Sequence, residues 1–298
     1  MKCFLPVTAV CLLAAGHTTA WGQCEIQKLV ASDGGMYDKF GWSIAIGKDM
    51  VVVGAPLHDG VDFNAGSAYI YRRDGSKWVE DTILYALDGD MGDGFGGSVA
   101  VRGDVMIVSA SGVDGRPPAQ NLGAAYVYRF ITDTWRWVED ATLTASDGSH
   151  MDHFARSVAI SGDVAIASSH ADDDNGTGSG SAYIFRYDPN TSGWAQETKL
   201  LASDGAEEDH FGISVAMSGD VILIGAYADA DNGMYSGSAY VFRYDPDTSA
   251  WIEEAKLLAS DGAALDWFGT SVAISGDHLI VGAAEFYSGR PGKAYIYH

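Results

Sequence analysis

Residues 204–217 read DGAEEDHFGISVAM, and a version of this stretch occurs five times in the 298-residue chain. In every copy an Asp-Gly pair begins seven residues before a phenylalanine, which is followed by glycine in four copies and by alanine in one. The five phenylalanine pairs are Phe40-Gly41, Phe95-Gly96, Phe154-Ala155, Phe211-Gly212 and Phe268-Gly269. The five aspartates, at intervals of 55, 59, 57 and 57 residues, are Asp33, Asp88, Asp147, Asp204 and Asp261. A period of this length is typical of proteins built from one repeated supersecondary unit.

Each copy contains four short strand-like runs. In the fourth copy they cover residues 194–201, 213–217, 221–226 and 238–243, and Gly, Asp, Asn and Pro lie between them. The runs are rich in Val, Ile, Tyr and Phe, and none is long enough for an amphipathic helix. We therefore expect an all-β, five-bladed β-propeller with four antiparallel strands in each blade.

The two ends of the chain together supply one further blade. Residues 25–29 align with residues 253–257, the last strand of a blade, and residues 294–297 align with residues 239–242, the third strand. This predicts a ring closed by the N-terminal strand joining the C-terminal blade, which also protects the sheet edges. The alternative is an open array of blades that needs a partner to cap it.

The first residues differ in kind from the repeats. Met1 and Lys2 precede an apolar run over residues 4–15, and small residues typical of a cleavage site follow. We expect residues 1–22 to be a secretory signal peptide and residues 23–298 to be one propeller domain, secreted to an extracellular or periplasmic space. A membrane anchor is the alternative, although the run is shorter than the roughly 20 residues that a spanning helix needs. Cys24 is then the one cysteine of the mature chain, so no intramolecular disulfide is expected.

Composition restricts the partners. The chain carries a formal net charge of −22 and has a sequence pI near 4.4. Proteins that bind nucleic acid carry basic patches, so nucleic acid is an improbable partner, and anionic membranes are disfavoured for the same reason. With 47% hydrophobic residues the chain has ample material for a core and is predicted to be ordered.

Several repeated strings resemble a known family. They are FGISVAM at residues 211–217, the Gly219-Asp220 turn, IGA at residues 224–226, SAYVF at residues 238–242, and the literal GAP of residues 54–56. Together they are similar to the FG-GAP repeat of integrin-α-like β-propellers, and the resemblance covers essentially the whole mature chain. Two departures matter. Integrin heads have seven blades, and their calcium loop between the first two strands is here reduced to turns such as Ser218-Gly219-Asp220, so that family's metal ligands are not carried over.

Acidic residues concentrate on one predicted face, where the loops from strand four to strand one and from strand two to strand three open. Five of them stand five residues after the repeated aspartates and are our predicted ligand-binding residues: Asp38, Asp93, Asp152, Asp209 and Asp266. The acidic face would recruit basic partners by electrostatic steering. The competing interpretation is structural, because aspartate in such turns accepts backbone N–H bonds.

Two loops offer candidate calcium ligands. Hard oxygen ligands recur 57 residues apart as Asp172, Asp174 and Asn175 in one copy and Asp229, Asp231 and Asn232 in the next. Carboxylate and amide oxygens suit Ca²⁺, although the other ligands of a helix-loop-helix calcium site are absent from these loops. A transition-metal site at His150, His153 and His210, near Asp152 and Asp209, is a further alternative.

Catalysis is not expected. Five-bladed glycoside hydrolases need unlike carboxylates in the central funnel, whereas these recur at equivalent positions in every blade. We predict a monomeric, non-enzymatic binding or adhesion module that recognises an extracellular protein or glycan through its acidic loop face, with Ca²⁺ as a possible cofactor. The alternative is a lectin-like or glycan-processing propeller that uses the central funnel. Aromatic residues clustered at one rim would favour sugar stacking, and the candidates are Trp267, Tyr235, Tyr227, Phe63 and Tyr287.

Overall fold

The computed structural model describes residues 25–112, 122–284 and 291–298. Every regular element within these ranges is a β-strand, and the nineteen strands form five antiparallel sheets. Within each sheet the strands follow one another in chain order. The predicted all-β, five-bladed propeller is confirmed.

The strands of each blade have the following bounds. Blade one contains β1 Ser43–Ile46, β2 Met50–Ala55, β3 Ser67–Asp74 and β4 Lys77–Leu84. Blade two contains β5 Val99–Arg102, β6 Val105–Ala110, β7 Ala124–Ile131 and β8 Arg136–Leu143. Blade three contains β9 Phe154–Ser161, β10 Val164–Ser169, β11 Ser181–Asp188 and β12 Gly193–Leu200. Blade four contains β13 Phe211–Ser218, β14 Val221–Ala226, β15 Ser238–Asp245 and β16 Ala250–Leu257, and blade five contains β17 Phe268–Ser275, β18 His278–Ala283 and β19 Lys293–Tyr297.

The burial of each strand follows its apolar content and its place in the blade. Second strands such as β6 and β10 are buried along their whole length, as expected for continuously apolar runs covered on both faces. Fourth strands such as β4 alternate between exposed and partly buried residues, which is typical of a sheet face that meets water. The first strands of neighbouring blades contact one another, so they lie innermost, around the propeller axis.

The core lies between the blades. Four hydrophobic clusters each join two consecutive blades, and each contains one repeated phenylalanine: Phe95, Phe154, Phe211 or Phe268. Phe211 meets Tyr240 and Phe242 of its own blade edge-on, with ring centroids 5.3 and 6.1 Å apart, and shares its cluster with Ile184 and Leu200 of the preceding blade. The phenylalanine is therefore a plug between blades, as burial of a large apolar side chain at each junction predicts.

The glycine after this phenylalanine is required by close backbone approach. Gly269 has a φ of 91°, and a Cβ at this position would lie 2.2 Å from the carbonyl oxygen of Ser238 in the preceding blade. Gly237 and Phe268 form a parallel bridge at the same junction. At this junction the Phe-Gly pair is thus the point where two blades join through their backbones, and a Cβ on Gly269 would obstruct the contact. The junction of blades two and three has Ala155 at the equivalent position, with a φ of 61°.

The fifth blade departs from the predicted closure. Residues 25–31 form no strand, and among the described residues β19 has no neighbour other than β18. The N-terminal segment instead contacts blade one, where the Gln27 side chain exchanges hydrogen bonds of 2.6 and 2.7 Å with the backbone of Trp78. Ser32 bonds Glu80 as Ser203 bonds Glu253 between blades three and four. The N-terminal segment thus contacts blade one, and among the described residues it does not pair with β19. Such pairing would have to compensate the entropy lost when terminal residues become ordered.

The faces of blades one and five that would meet on ring closure are correspondingly exposed. Ile44 is 73% exposed, whereas the equivalent Val99 and Val158 are 8% and 5% exposed at junctions between blades. On the other side, Ile296 of β19 is 70% exposed. Blades one and five therefore each present an exposed apolar face, and among the described residues no strand joins the two blades.

Candidate functional site

The repeated aspartate of each copy accepts a hydrogen bond from the tyrosine of the Ser-Ala-Tyr strand. In every blade the tyrosine hydroxyl donates to Oδ1 of the aspartate at 2.6–2.9 Å. The five pairs are Tyr69–Asp33, Tyr126–Asp88, Tyr183–Asp147, Tyr240–Asp204 and Tyr295–Asp261. Because the pair is the same in all five blades, it stabilises the blade and does not distinguish one blade from another.

The five predicted ligand-binding aspartates also lie in repeated turns. Each accepts a backbone N–H from the residue three positions before it, at 2.5–3.0 Å. Four of them are buried, and the fifth is partly buried; they are Asp38, Asp152, Asp209, Asp266 and Asp93. This geometry supports the interpretation of these carboxylates as turn-forming groups. Their role in ligand binding stays a prediction.

Burial makes two of these turns sensitive to pH. Burial raises the pKa of Asp209, and the nearby Asp229 carboxylate raises it further; burial likewise raises the pKa of Asp152. A carboxyl whose pKa is higher in the folded state destabilises the protein progressively as the pH rises from the ordinary pKa to the raised one, and the destabilisation is complete above the raised value. Asp209→Asn removes this ionisation and keeps an oxygen for the Ala206 N–H.

We therefore expect Asp209→Asn to raise the melting temperature at pH 7, with the gain shrinking as the pH falls toward 3.8, the ordinary pKa of an aspartate. Thermal unfolding between pH 3.5 and 7.5 measures this. Asp133→Asn, in an exposed turn, is the matched control. A lower melting temperature for Asp209→Asn throughout the range would show that the turn needs the charged carboxylate.

Lysine ammonium groups lie among the predicted calcium ligands. Lys256 Nζ is 2.7 Å from Asp204, 2.8 Å from Asp229 and 2.8 Å from Asp231. In the preceding blade Lys199 Nζ lies 2.9, 2.9 and 2.7 Å from Asp147, Asp172 and Asp174. Each ammonium therefore takes the central position that a cation would have. Desolvation raises the pKa of Asp147 and Asp204, but hydrogen bonds from the lysine and the tyrosine outweigh it and hold both pKa values below the usual range.

The donor set fits a divalent cation only in part. Among the described residues one group of three acidic or imidazole side chains brings its ligand atoms within 4.8 Å of one another, and it is Asp204, Asp229 and Asp231. Asn175 and Asn232 lie against Gly205 and Gly262 of the loop that enters the next blade. No histidine belongs to that group, so the alternative of a transition-metal site at His150, His153 and His210 has no support in the described ranges.

A second site lies where the repeats differ. The residue before each repeated phenylalanine has a left-handed backbone, with φ between 54° and 67°, at the inner end of the loop that enters the blade. Its identity changes from blade to blade: Lys39, Gly94, His153, His210 and Trp267. The residue after each second strand comes to the same place and also varies: Pro56, Ser111, His170, Tyr227 and Ala284. The backbone conformation before the phenylalanine is therefore the same in every blade, whereas the side chains at these positions differ.

In blades three to five these positions form a continuous row of rings. His153, His170 and His210 follow one another with centroids 5.4 and 5.6 Å apart. Tyr227 stacks on His210 at 5.3 Å with an interplanar angle of 7°, and Trp267 lies 4.8 Å from Tyr227. We call these five residues the ring row. Tyr235 extends it, 6.2 Å from Trp267.

Hydrogen bonds hold two of the three imidazoles in place. His153 Nδ1 lies 3.3 Å from the Ser111 carbonyl oxygen, and His210 Nδ1 lies 3.1 Å from that of His170. His210 Nε2 is 3.3 Å from a carboxylate oxygen of Glu208. Burial lowers the pKa of His170 to about 3, with a contribution from the positive charge of Arg156. His170 is therefore neutral at pH 7.

The structure brings together three of the five aromatic residues that were candidates for sugar stacking. Trp267, Tyr235 and Tyr227 come together as the aromatic-rim hypothesis required. Phe63 is 59% exposed in the loop between β2 and β3 of blade one, and Tyr287 lies outside the described residues.

Lys199, Lys256 and His170 were not singled out from the sequence. Lys199 and Lys256 could have been found, because each stands 52 residues after the aspartate that it neutralises. His153 and His210 stand 57 residues apart and were considered only as ligands of a transition metal, whereas His170 has no histidine counterpart in the other copies, so only folding reveals the contact of the three rings.

Fold and site together define a β-propeller of the kind that serves as a binding module. Its repeated residues build the blades, and its variable residues lie at the inner ends of the loops. The chain belongs to the FG-GAP repeat family: the family model matches residues 21–71, 78–128, 137–185, 194–242 and 251–297. A search of curated proteins found no match. No helix in the described part of the chain has the length and apolar content to cross a membrane.

Proposed function

We propose that this protein is a secreted, non-enzymatic module that binds a glycan at the ring row. The observation that carries the proposal is the stacked run from His210 through Tyr227 to Trp267, at positions where the five repeats disagree. Aromatic faces bury large areas and leave polar edges free, which suits the apolar face and the hydroxyl groups of a sugar ring. The apolar run before residue 22 supports export.

Binding without turnover is supported by the carboxylates. The repeated aspartates are engaged by tyrosine hydroxyls, by turn N–H groups or by lysines, and the same arrangement recurs from blade to blade. Hydrolysis of a glycosidic bond needs two carboxyl groups with different environments. We therefore propose that the ring row holds its ligand without cleaving it.

The test is a glycan and protein array probed with the wild-type protein, Trp267→Ala and Trp135→Ala. We expect Trp267→Ala to lower affinity for the recognised glycan by roughly 30-fold or more, the loss typical of a central aromatic contact. Trp135 is 73% exposed in the turn between β7 and β8, so its replacement is the matched control. Equal binding by all three proteins, with unchanged melting temperatures, would exclude the ring row as the site.

The second candidate function is recognition of a basic protein by the acidic loop face. The net charge of −22 favours it through steering. A protein ligand on the same array, lost at high salt and weakened by Asp209→Asn but not by Trp267→Ala, would favour this alternative. Calcium dependence belongs to this second candidate, and for Ca²⁺ to bind, the ammonium groups of Lys199 and Lys256 would have to move aside.

A further inference from the structure

Arg156 is three residues after His153 of the ring row, and its guanidinium has no partner among the described residues. Arg156 is on β9, an innermost strand, two residues after Phe154. The equivalent residues of the other blades are Trp42, Gly97, Ile213 and Thr270. Blade three alone therefore places a charge at this position.

Four arginines of the third strands are paired with carboxylates. Arg72, Arg129, Arg186 and Arg243 each contact a carboxylate on the fourth strand of their own blade. The Arg156 side chain makes no ion pair or hydrogen bond with any residue in the ranges that the structure describes. It is only partly exposed, and burial lowers its pKa. A partly buried, unpaired charge is costly, and an anionic ligand would compensate it.

Arg156 is coupled electrostatically to two members of the ring row. It lowers the pKa of His170 and interacts with the hydroxyl of Tyr227. His170 Nδ1 is buried and has no hydrogen-bond partner among the described residues, so a second polar group faces the same region. Glu208 contributes an acidic group to the row, with its carboxylate 3.3 Å from His210 Nε2.

We propose that the ring row and Arg156 bind a carboxylated sugar, namely a uronic acid residue. This inference rests on the proposed glycan binding at the ring row. The apolar face of the sugar ring packs on Tyr227 and Trp267, and its carboxylate accepts hydrogen bonds from Arg156. Guanidinium groups bind carboxylates through two parallel N–H···O bonds, which gives both strength and orientation. His170, neutral at pH 7, is placed to bond a hydroxyl of the same ring.

The experiment is calorimetric titration of the full-length mature protein with tetragalacturonate and with its methyl ester, which has the same rings and no charge. We expect the acid to bind about 10- to 100-fold more tightly than the ester, the range for a hydrogen bond to a charged group. Arg156→Gln should bind the two ligands equally. Arg102→Gln, which removes a charge at an exposed strand end, should keep the preference for the acid.

The outcomes separate this inference from the proposed function. Equal binding of acid and ester by the wild type overturns the role of Arg156 and leaves glycan binding intact. Absence of binding to both, together with binding of an acidic peptide, overturns both proposals. Sodium acetate that binds as tightly as the tetramer would show an anion site that does not recognise sugar. If Arg156→Gln fails to fold, Arg156→Lys provides the test, because it keeps the charge and loses the paired hydrogen bonds, so its acid preference should fall.

Discussion

Replacing Phe211 with alanine is expected to destabilise the protein by about 3–5 kcal/mol, the usual cost of emptying a buried phenylalanine site. The ring is fully buried, packs edge-on against Tyr240 and Phe242, and contacts residues of two blades. The surrounding β-strands are fixed by their own ladders and cannot collapse into the space. Urea unfolding followed by tryptophan fluorescence measures the loss.

Phe63→Ala is the matched control, because this phenylalanine is exposed in a loop, and its removal should change stability by less than about 0.5 kcal/mol. If Phe211→Ala cost no more than the control, the phenylalanine of the repeat would not be the plug between blades. An equal loss for Phe154→Ala would show that the role is shared by the copies, since Phe154 has the same two aromatic neighbours in blade three.

Replacing Lys256 with methionine should have the second-largest effect on stability. The change leaves Asp204, Asp229 and Asp231 without their common counter-charge, and Asp229 is buried. Removing one partner of a buried ion pair costs about 3–5 kcal/mol, and exposure of the other two carboxylates reduces this to about 1–3 kcal/mol. Thermal and urea unfolding measure the effect. Lys77→Met, at an exposed strand end, is the control.

The same variant tests the calcium hypothesis. Once the ammonium is absent, three carboxylates converge on an open position, so millimolar Ca²⁺ should raise the melting temperature of Lys256→Met more than that of the wild type. An equal rise in both proteins would mean that Ca²⁺ binds with the lysine in place. The absence of any rise in the variant would show that the three aspartates do not form a cation site.

The repeat predicted the fold because every blade must satisfy the same local conditions. The Phe-Gly pair recurs in four of the five copies and allows close backbone approach at junctions such as that of Gly269, and the anchoring aspartate recurs in every copy as the acceptor for the tyrosine of the Ser-Ala-Tyr strand or its equivalent. Closure of the ring was harder to predict. Residues 25–31 match a strand in sequence, yet a terminal strand forms only if pairing with β19 compensates its loss of entropy, and the described residues show contacts to blade one alone.

The candidate site was predictable only in part. Trp267, Tyr227 and Tyr235 were proposed from their chemistry, and the structure brings them together. Arg156 and His170 carry no motif and differ from their equivalents in other copies. Each is a candidate because of its surroundings. Among the described residues, the Arg156 side chain has no carboxylate partner and His170 Nδ1 has no hydrogen-bond partner.

The sequence by itself determined the blade. Short-range preferences, which recur in each copy, set the strand lengths, the turns, the phenylalanine plug and the number of repeats. Tertiary structure alone decided which acidic groups are neutralised, because Lys256 meets Asp204 across 52 residues of chain. It also decided which rings meet, since His170, His210 and Trp267 come from three different blades. Local preferences depend on neighbours along the chain, whereas charge pairing and ring stacking depend on distances between blades, which arise only when the blades pack around a common axis.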